Sequence, residues 1–139
     1  MELKGTHKFA VAPQVVWDAL HNPAILKNCI PGIEEISWQG ESAINARISG
    51  IGPMKGPYGG TVNVLEHTAP SHMKIGLSRT SVSGSLSVDL APDGAGTLLT
   101  YNAQGTLNGA FAMLDNPLTR PLVDGQIGQF FSKLEAQIS

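Results

Sequence analysis

The sequence predicts an α+β domain in which consecutive strands form an antiparallel sheet and the helices occur at the two ends of the chain. Two observations support this fold class. Between residues 33 and 107, apolar and polar residues alternate with the period of two that is typical of strands with one wet face. Helical periodicity occurs only near the N-terminus and beyond Leu122. Because no helix separates the predicted strands, antiparallel hairpins are expected.

The chain opens with a short strand that leads into a helix. Phe9 and Val11 alternate with Lys8 and Ala10, as in a half-buried strand. Pro13 suits the first turn of a helix, where its missing N–H group costs no hydrogen bond. The apolar positions of this helix recur at the spacing of one helical turn and are Val15, Val16, Ala19 and Leu20.

A second short helix is expected directly after the first. The Asn22 side chain can cap free amide groups at a helix start, and Pro23 again suits the first turn. We expect this helix to extend to about Lys27 and to end before Pro31 and Gly32.

The strands that follow are separated by residues typical of turns. Gly40, Pro70 and Gly94 mark three turns, in which proline presets φ and glycine accepts a positive φ. The segment GIGPMKGPYGG carries five glycines and two prolines and predicts a loop or a sharply bent hairpin. The apolar strand positions are Ile33, Ile36 and Trp38; Ile44, Ala46 and Ile48; Val62, Val64 and Leu65; Met73, Ile75 and Leu77; Val82, Leu86, Val88 and Leu90; and a last strand from Leu98 to Leu107.

A longer amphipathic helix is predicted at the C-terminal end. Its apolar positions recur every three to four residues and are Val123, Ile127, Phe130 or Phe131, Leu134 and Ile138. Two starts are open. If Asn116 caps the helix and Pro117 leads it, Pro121 costs a backbone hydrogen bond and kinks the helix; a start near Thr119 places Pro121 inside the first turn.

Length and composition predict a single domain over residues 1–139 that is neither secreted nor bound to nucleic acid. The net charge is −2, and the nine Lys and Arg residues are scattered rather than clustered on one face. Cys29 is the only cysteine, so no intramolecular disulfide can form. The opening MELKGTHKF is broken by charge, and no apolar run approaches the ~20 residues that span a bilayer. A cytoplasmic location is expected.

Four segments carry a family resemblance: MELKG, APQVVWDALHNPAILKNCIPG, GPMKGPYGGTV and DLAPDGAGTLLTY, which together span residues 1 to about 107. The sequence resembles the START-like superfamily, also called SRPBCC or Bet v 1-like, and is similar in particular to the CoxG family, which is named after carbon monoxide dehydrogenase. The resemblance implies a helix-grip fold, in which a curved antiparallel sheet of about six or seven strands wraps around the long C-terminal helix. Two short helices follow the first strand, and an elongated apolar cavity separates sheet and helix.

The resemblance also implies a function. A CoxG-like protein would be a non-catalytic carrier of an isoprenoid quinone, of the menaquinone or ubiquinone type, or of another hydrophobic small molecule. It would serve as an accessory protein to a CO dehydrogenase-like molybdenum hydroxylase. CoxG-like chains often continue into a tail suited to membrane attachment, whereas this sequence ends at Ser139 without a basic cluster, so we expect transient contact with the inner face of the membrane at most.

The residues expected around the cavity combine packing with ligand contact. They are Trp17, Leu20, Leu26, Ile30, Met54, Tyr58, Leu86, Tyr101, Val123, Ile127, Phe130 and Leu134. Tyr101 is the expected polar group that orients the ligand, although strand alternation does not decide whether it points inward. Alternation favours the outer face for Arg47 and Asp89. Met54, Lys55 and Tyr58 are expected to form a flap over the cavity mouth or a contact with a partner.

No catalytic residue and no metal site are predicted. The four histidines lack the spacing of a metal site; His67 and His72 could approach across the turn at Pro70, but no further ligand converges on them. Cys29 is expected to be a buried hydrophobic residue rather than a nucleophile activated by His21. Two alternatives to a carrier remain: a polyketide cyclase or aromatase-like enzyme, which needs an acid or base in the cavity, and an assembly or interaction module without ligand.

Overall fold

One curled antiparallel sheet and three helices make up the part of the chain that the structure describes. The structure is a computed structural model, and it describes residues 2–30, 33–51, 54–78, 82–107 and 120–138. The elements in chain order are β1 Glu2–Phe9, α1 Pro13–Leu20, α2 Pro23–Cys29, β2 Ile33–Gln39, β3 Ala43–Ile51, β4 Met54–Thr68, β5 His72–Ser78, β6 Val82–Asp93, β7 Gly96–Leu107 and α3 Arg120–Ile138.

The sheet has seven strands in the order β1-β7-β6-β5-β4-β3-β2, and every neighbouring pair is antiparallel. Strands that follow one another in the sequence are neighbours, as expected for hairpins, with one exception. β1 and β2 lie at opposite edges of the sheet, and α1 and α2 connect them. The predicted α+β class and the predicted curved sheet are confirmed.

The core lies between the concave face of the sheet and the helices. Across the ladders, Leu90 is opposite Leu99, and Val88 is opposite both Tyr101 and Met73, so these side chains share the face that packs on the helices. The buried residues that form one cluster are Phe9, Val16, Trp17, Ala19, Leu20, Cys29, Met73, Val88, Leu90, Leu99, Tyr101, Phe131 and Leu134. Burial of this apolar surface is the main source of stability.

The starts of the two short helices follow the sequence signals. Pro13 and Pro23 occupy first-turn positions, and the Asn22 side chain accepts a hydrogen bond of 3.0 Å from the backbone amide of Ala24. The predicted cap is therefore confirmed. α2 extends to Cys29, slightly beyond the expected end near Lys27. The turn glycines Gly40 and Gly94 both have φ of 61°, which residues with a Cβ rarely adopt.

The glycine-rich segment is strand where the sequence predicted a loop or a bent hairpin. β3 extends to Ile51 and β4 begins at Met54, so the hairpin interpretation is confirmed and the open loop is wrong. Ile48 lies opposite Tyr58, but Gly50 lies opposite Lys55, which leaves one extra residue in β4. A β-bulge of this kind accommodates proline, which cannot donate to the ladder.

The long helix α3 begins at Arg120, so Pro121 is its second residue. This confirms the start near Thr119 and makes the start at Asn116 wrong; residues 108–119 themselves lie outside the described part. A proline in the first turn loses no helical hydrogen bond, because the first amides of a helix have no partner within it.

Tyr101 crosses β1 at the position directly opposite Gly5. A Cβ atom placed on Gly5 would lie 2.6 Å from Cζ and 2.8 Å from Cε1 of Tyr101, well inside van der Waals contact. The tyrosine is buried and its ring centroid lies 5.3 Å from that of Phe131 on α3. The missing side chain of Gly5 thus provides the space in which this ring connects β1, β7 and α3.

Replacement of Gly5 with alanine tests this contact. We expect Gly5→Ala to lower the free energy of unfolding by about 1–3 kcal/mol, because the buried tyrosine ring must shift. Gly125→Ala is the matched control: a Cβ there meets nothing within 4 Å, and alanine in a helix interior is favoured over glycine by about 0.5–1 kcal/mol. Urea denaturation followed by circular dichroism measures both. Equal effects of the two substitutions would contradict the contact.

Candidate functional site

The candidate site is the concave face of the sheet, where several large apolar side chains are only partly buried. Ile75 on β5 and Leu86 on β6 lie opposite each other and border the core, and Ile127 and Phe130 on α3 border it as well. All four remain partly exposed, in contrast to Leu134, which is completely buried. In the described part of the chain, this face therefore carries apolar surface that the helices do not fully cover.

The residues expected around a cavity divide into two groups by burial. Five are buried within the protein and contribute mainly to packing: Trp17, Leu20, Leu26, Tyr101 and Leu134. Four are partly buried: Ile30, Leu86, Ile127 and Phe130. The side chains of Met54, Tyr58 and Val123 lie outside the described part; the backbone of the first two belongs to β4, opposite Ile51 and Ile48. The flap or contact role expected for Met54, Lys55 and Tyr58 stays a prediction.

Tyr101 faces the interior, which decides a point that strand alternation left open. Its hydroxyl donates a hydrogen bond of 3.2 Å to Oδ1 of Asp124 on α3. Burial, together with this hydrogen bond, raises the pKa of Tyr101, so the phenol is neutral under ordinary conditions. The hydroxyl is occupied by the protein and fastens α3 to β7.

Arg47 lies on the outer face of the sheet, as alternation predicted. Its Nε is 3.0 Å from Oε2 of Glu34, and its side chain is 55% exposed. It borders an open outer groove of about 280 Å³, whose other lining residues are Glu35, Ser37, Asn45, Ala46, Gly59 and Gly60. Charged and polar groups line this groove, so it differs in chemistry from the apolar concave face.

His72 is also on the outer face, bound between two carboxylates. Its Nδ1 is 2.6 Å from Oδ1 of Asp89, and its Nε2 is 2.7 Å from Oε1 of Glu66. Because carboxylate oxygens only accept, both ring nitrogens donate and the ring is an imidazolium. The hydrogen bonds from Glu66 and then Asp89 raise the pKa of His72 above its ordinary value of 6.5. Asp89 thus lies on the outer face, as predicted.

His67 and His72 do not approach each other. His72 is paired with Thr68 in the β4–β5 ladder and His67 with Met73, so the two imidazoles point to opposite faces. The expected approach across the turn is wrong, because the hairpin register places an odd step between the two side chains.

An aromatic cluster on the inner side was missed by the sequence reasoning. We define it by Trp17, His21, Trp38 and His67. His21 Nε2 is 2.9 Å from His67 Nε2, and the His21 ring stacks on Trp38 at a centroid distance of 4.3 Å and packs against Trp17 at 4.7 Å. His21 follows Trp17 by one helical turn, but nothing local in the sequence connects α1 with β4.

Cys29 is completely buried, as predicted. Burial raises the pKa of its thiol, and the charge of Lys133 opposes this only in part. A neutral buried thiol behaves as a small apolar residue. Within the described ranges, no group of three or more His, Cys, Asp or Glu residues is arranged to hold a metal ion, and no helix has the length and hydropathy needed to cross a membrane.

The class of protein follows from this architecture. A curled seven-stranded sheet that packs on a C-terminal helix, with two short helices after the first strand, is the helix-grip fold of START-like proteins. A protein from Geobacillus kaustophilus is similar, with 26% identity, a TM-score of 0.86 and coverage of 99% of this chain and 95% of that one. A START superfamily protein from Mycobacterium smegmatis has 12% identity, a TM-score of 0.78 and coverage of 99% and 96%.

The chain belongs to the CoxG family: the model of this carbon monoxide dehydrogenase family matches residues 5–139. The match includes the C-terminal third, where the sequence resemblance had ended near residue 107. The comparison with curated proteins found no significant match.

The cluster of Glu66, His72 and Asp89 predicts that stability depends on pH. The folded-state pKa of His72 is raised, so its contribution is fully present below about pH 6.5 and is lost as the pH rises through the higher folded value. We expect the free energy of unfolding to fall between about pH 6 and pH 9, and this fall to be smaller in His72→Gln. Urea denaturation across this range measures both proteins. An identical pH dependence in the variant would contradict the prediction.

Proposed function

We propose that this CoxG-family protein is a non-catalytic carrier that holds a hydrophobic molecule against the concave face of its sheet. The observation that carries the proposal is the partly exposed apolar surface formed by Ile75, Leu86, Ile127 and Phe130. Apolar surface that a ligand covers contributes roughly 25 cal/mol per Å² to binding. Ligand pockets are mostly apolar and contain few polar groups, which this face matches.

The ligand that we propose is an isoprenoid quinone of the menaquinone or ubiquinone type. Its support is the name of the family, because carbon monoxide oxidation releases electrons that must reach an acceptor. A quinone combines a redox-active ring with a long apolar chain, and the latter needs an apolar surface of the kind found here. In this role the protein would exchange quinone between the inner face of the membrane and a CO dehydrogenase-like molybdenum hydroxylase in the cytoplasm.

Two side chains support a carrier over a cyclase-like enzyme. Such an enzyme needs an acid or base beside its substrate, and Tyr101 and Arg47 were the candidates on the strands. The Tyr101 hydroxyl is bound to Asp124, and Arg47 is on the outer face with Glu34. The exposed part of the apolar face likewise supports a ligand carrier over an interaction module without ligand.

Mass spectrometry of the protein's own ligand tests the proposal. The protein is purified without detergent from a host that makes quinones and is extracted with organic solvent. We expect a quinone near one equivalent per chain. A different hydrophobic molecule at that ratio would retain the carrier and exclude quinone, whereas an empty protein that also fails to bind added menaquinone and ubiquinone would refute the carrier.

A pair of adjacent substitutions tests where the ligand binds. Leu86 faces the core and Ser87, the next residue of β6, faces the opposite side of the sheet. We expect Leu86→Gln to weaken quinone binding by about tenfold or more, because the ligand would desolvate the new amide. Ser87→Gln adds the same group to the outer face and should bind quinone like the unchanged protein. Equal affinities of the two variants would place the ligand elsewhere.

A further inference from the structure

The aromatic cluster contains two histidines whose ring nitrogens converge on one point. His21 Nε2 and His67 Nε2 are 2.9 Å apart, although the two residues are 46 positions apart in the sequence. The His67 side chain is only 15% exposed. The contact is therefore an inner one, formed by the fold and not by chance rotation of surface side chains.

The hydrogen bonds around His21 determine its tautomer. Its Nδ1 is 2.7 Å from the carbonyl oxygen of Trp17, which can only accept, so Nδ1 carries the proton. In the neutral ring, Nε2 then has a free lone pair, and this lone pair points at His67. This is the arrangement of a metal-binding histidine, in which a backbone carbonyl holds the other ring nitrogen.

His67 has the same arrangement with a carboxylate in place of the carbonyl. Its Nδ1 is 3.9 Å from Oε2 of Glu41, and the Glu41 side chain is 81% exposed and so free to rotate into hydrogen-bond distance. With the proton of His67 on Nδ1, directed at Glu41, its Nε2 lone pair points at that of His21. Carboxylate–histidine–metal groupings of this kind are common in metalloproteins.

We propose that His21 and His67 form a two-histidine site for a divalent transition metal, with Zn²⁺ and Cu²⁺ as the chemical class. Imidazole suits these ions, whereas Mg²⁺ and Ca²⁺ prefer oxygen ligands. Two imidazole nitrogens about 2.0–2.1 Å from a tetrahedral ion lie somewhat farther apart than the two atoms do here, so the rings need to separate only slightly. Water or an oxygen atom of a bound ligand completes the coordination. Trp17 and Trp38 form the apolar wall around it.

The two tryptophans provide the measurement, because they are the only ones in the chain and both contact His21. We expect Cu²⁺ to quench the intrinsic fluorescence of protein without a histidine tag, with a stoichiometry of one. Zn²⁺ should bind with the same stoichiometry in calorimetry and should block the quenching when added first. Absence of saturable Cu²⁺ and Zn²⁺ binding would overturn the proposal and leave an N–H···N hydrogen bond between the histidines.

Matched variants locate the ion. His21→Asn and His67→Gln each remove one ligand and should weaken Zn²⁺ binding at least about a hundredfold, since loss of an outer partner alone costs 10–100-fold. Glu41→Gln should weaken it by about tenfold or less. His72→Gln, on the outer face, is the control and should bind like the unchanged protein. If His72→Gln lost the ion while His67→Gln, folded by circular dichroism, retained it, the site would not be this pair.

Discussion

The connection between the two edge strands is the constraint on which the rest of this fold depends. β1 and β2 are consecutive strands, yet they occupy opposite edges of a seven-stranded sheet. The segment between them must therefore cross the sheet, and it does so as two short helices that fit the distance only because the sheet is curled. The crossing places Trp17, Leu20 and Cys29 on the core and brings His21 to β4. Core packing and the aromatic cluster both result from it.

The second layer of the fold depends on how α3 is fastened. Phe131 and Leu134 provide the buried apolar contacts, and two polar contacts flank them: Tyr101 with Asp124, and His7 with Glu135 at 3.0 Å. These contacts connect α3 with β7 and β1, which are neighbours at one side of the sheet. The apolar face formed by more distant strands is covered less completely, and this difference in coverage underlies the proposed carrier function.

Elements set by local chemistry could be predicted from the sequence, and contacts between distant elements could not. Asn22 and Pro23 specify a helix start through one amide and one missing N–H group, so the start of α2 followed directly. Pro121 likewise determined the start of α3. The approach of His21 to His67 depends on how α1 crosses the sheet, and the loop expected at residues 50–60 is largely strand because pairing with β3 outweighs the low strand propensity of glycine.

The contact between Gly5 and Tyr101 has a consequence for how the sequence of this protein can change over evolutionary time. The two residues share one space, so the size allowed at position 5 depends on the ring at position 101. A smaller residue at position 101 would open room for a side chain at position 5, whereas either substitution alone leaves a cavity or an overlap. Substitutions at the two positions should therefore be coupled among descendants, although 96 residues of sequence separate them.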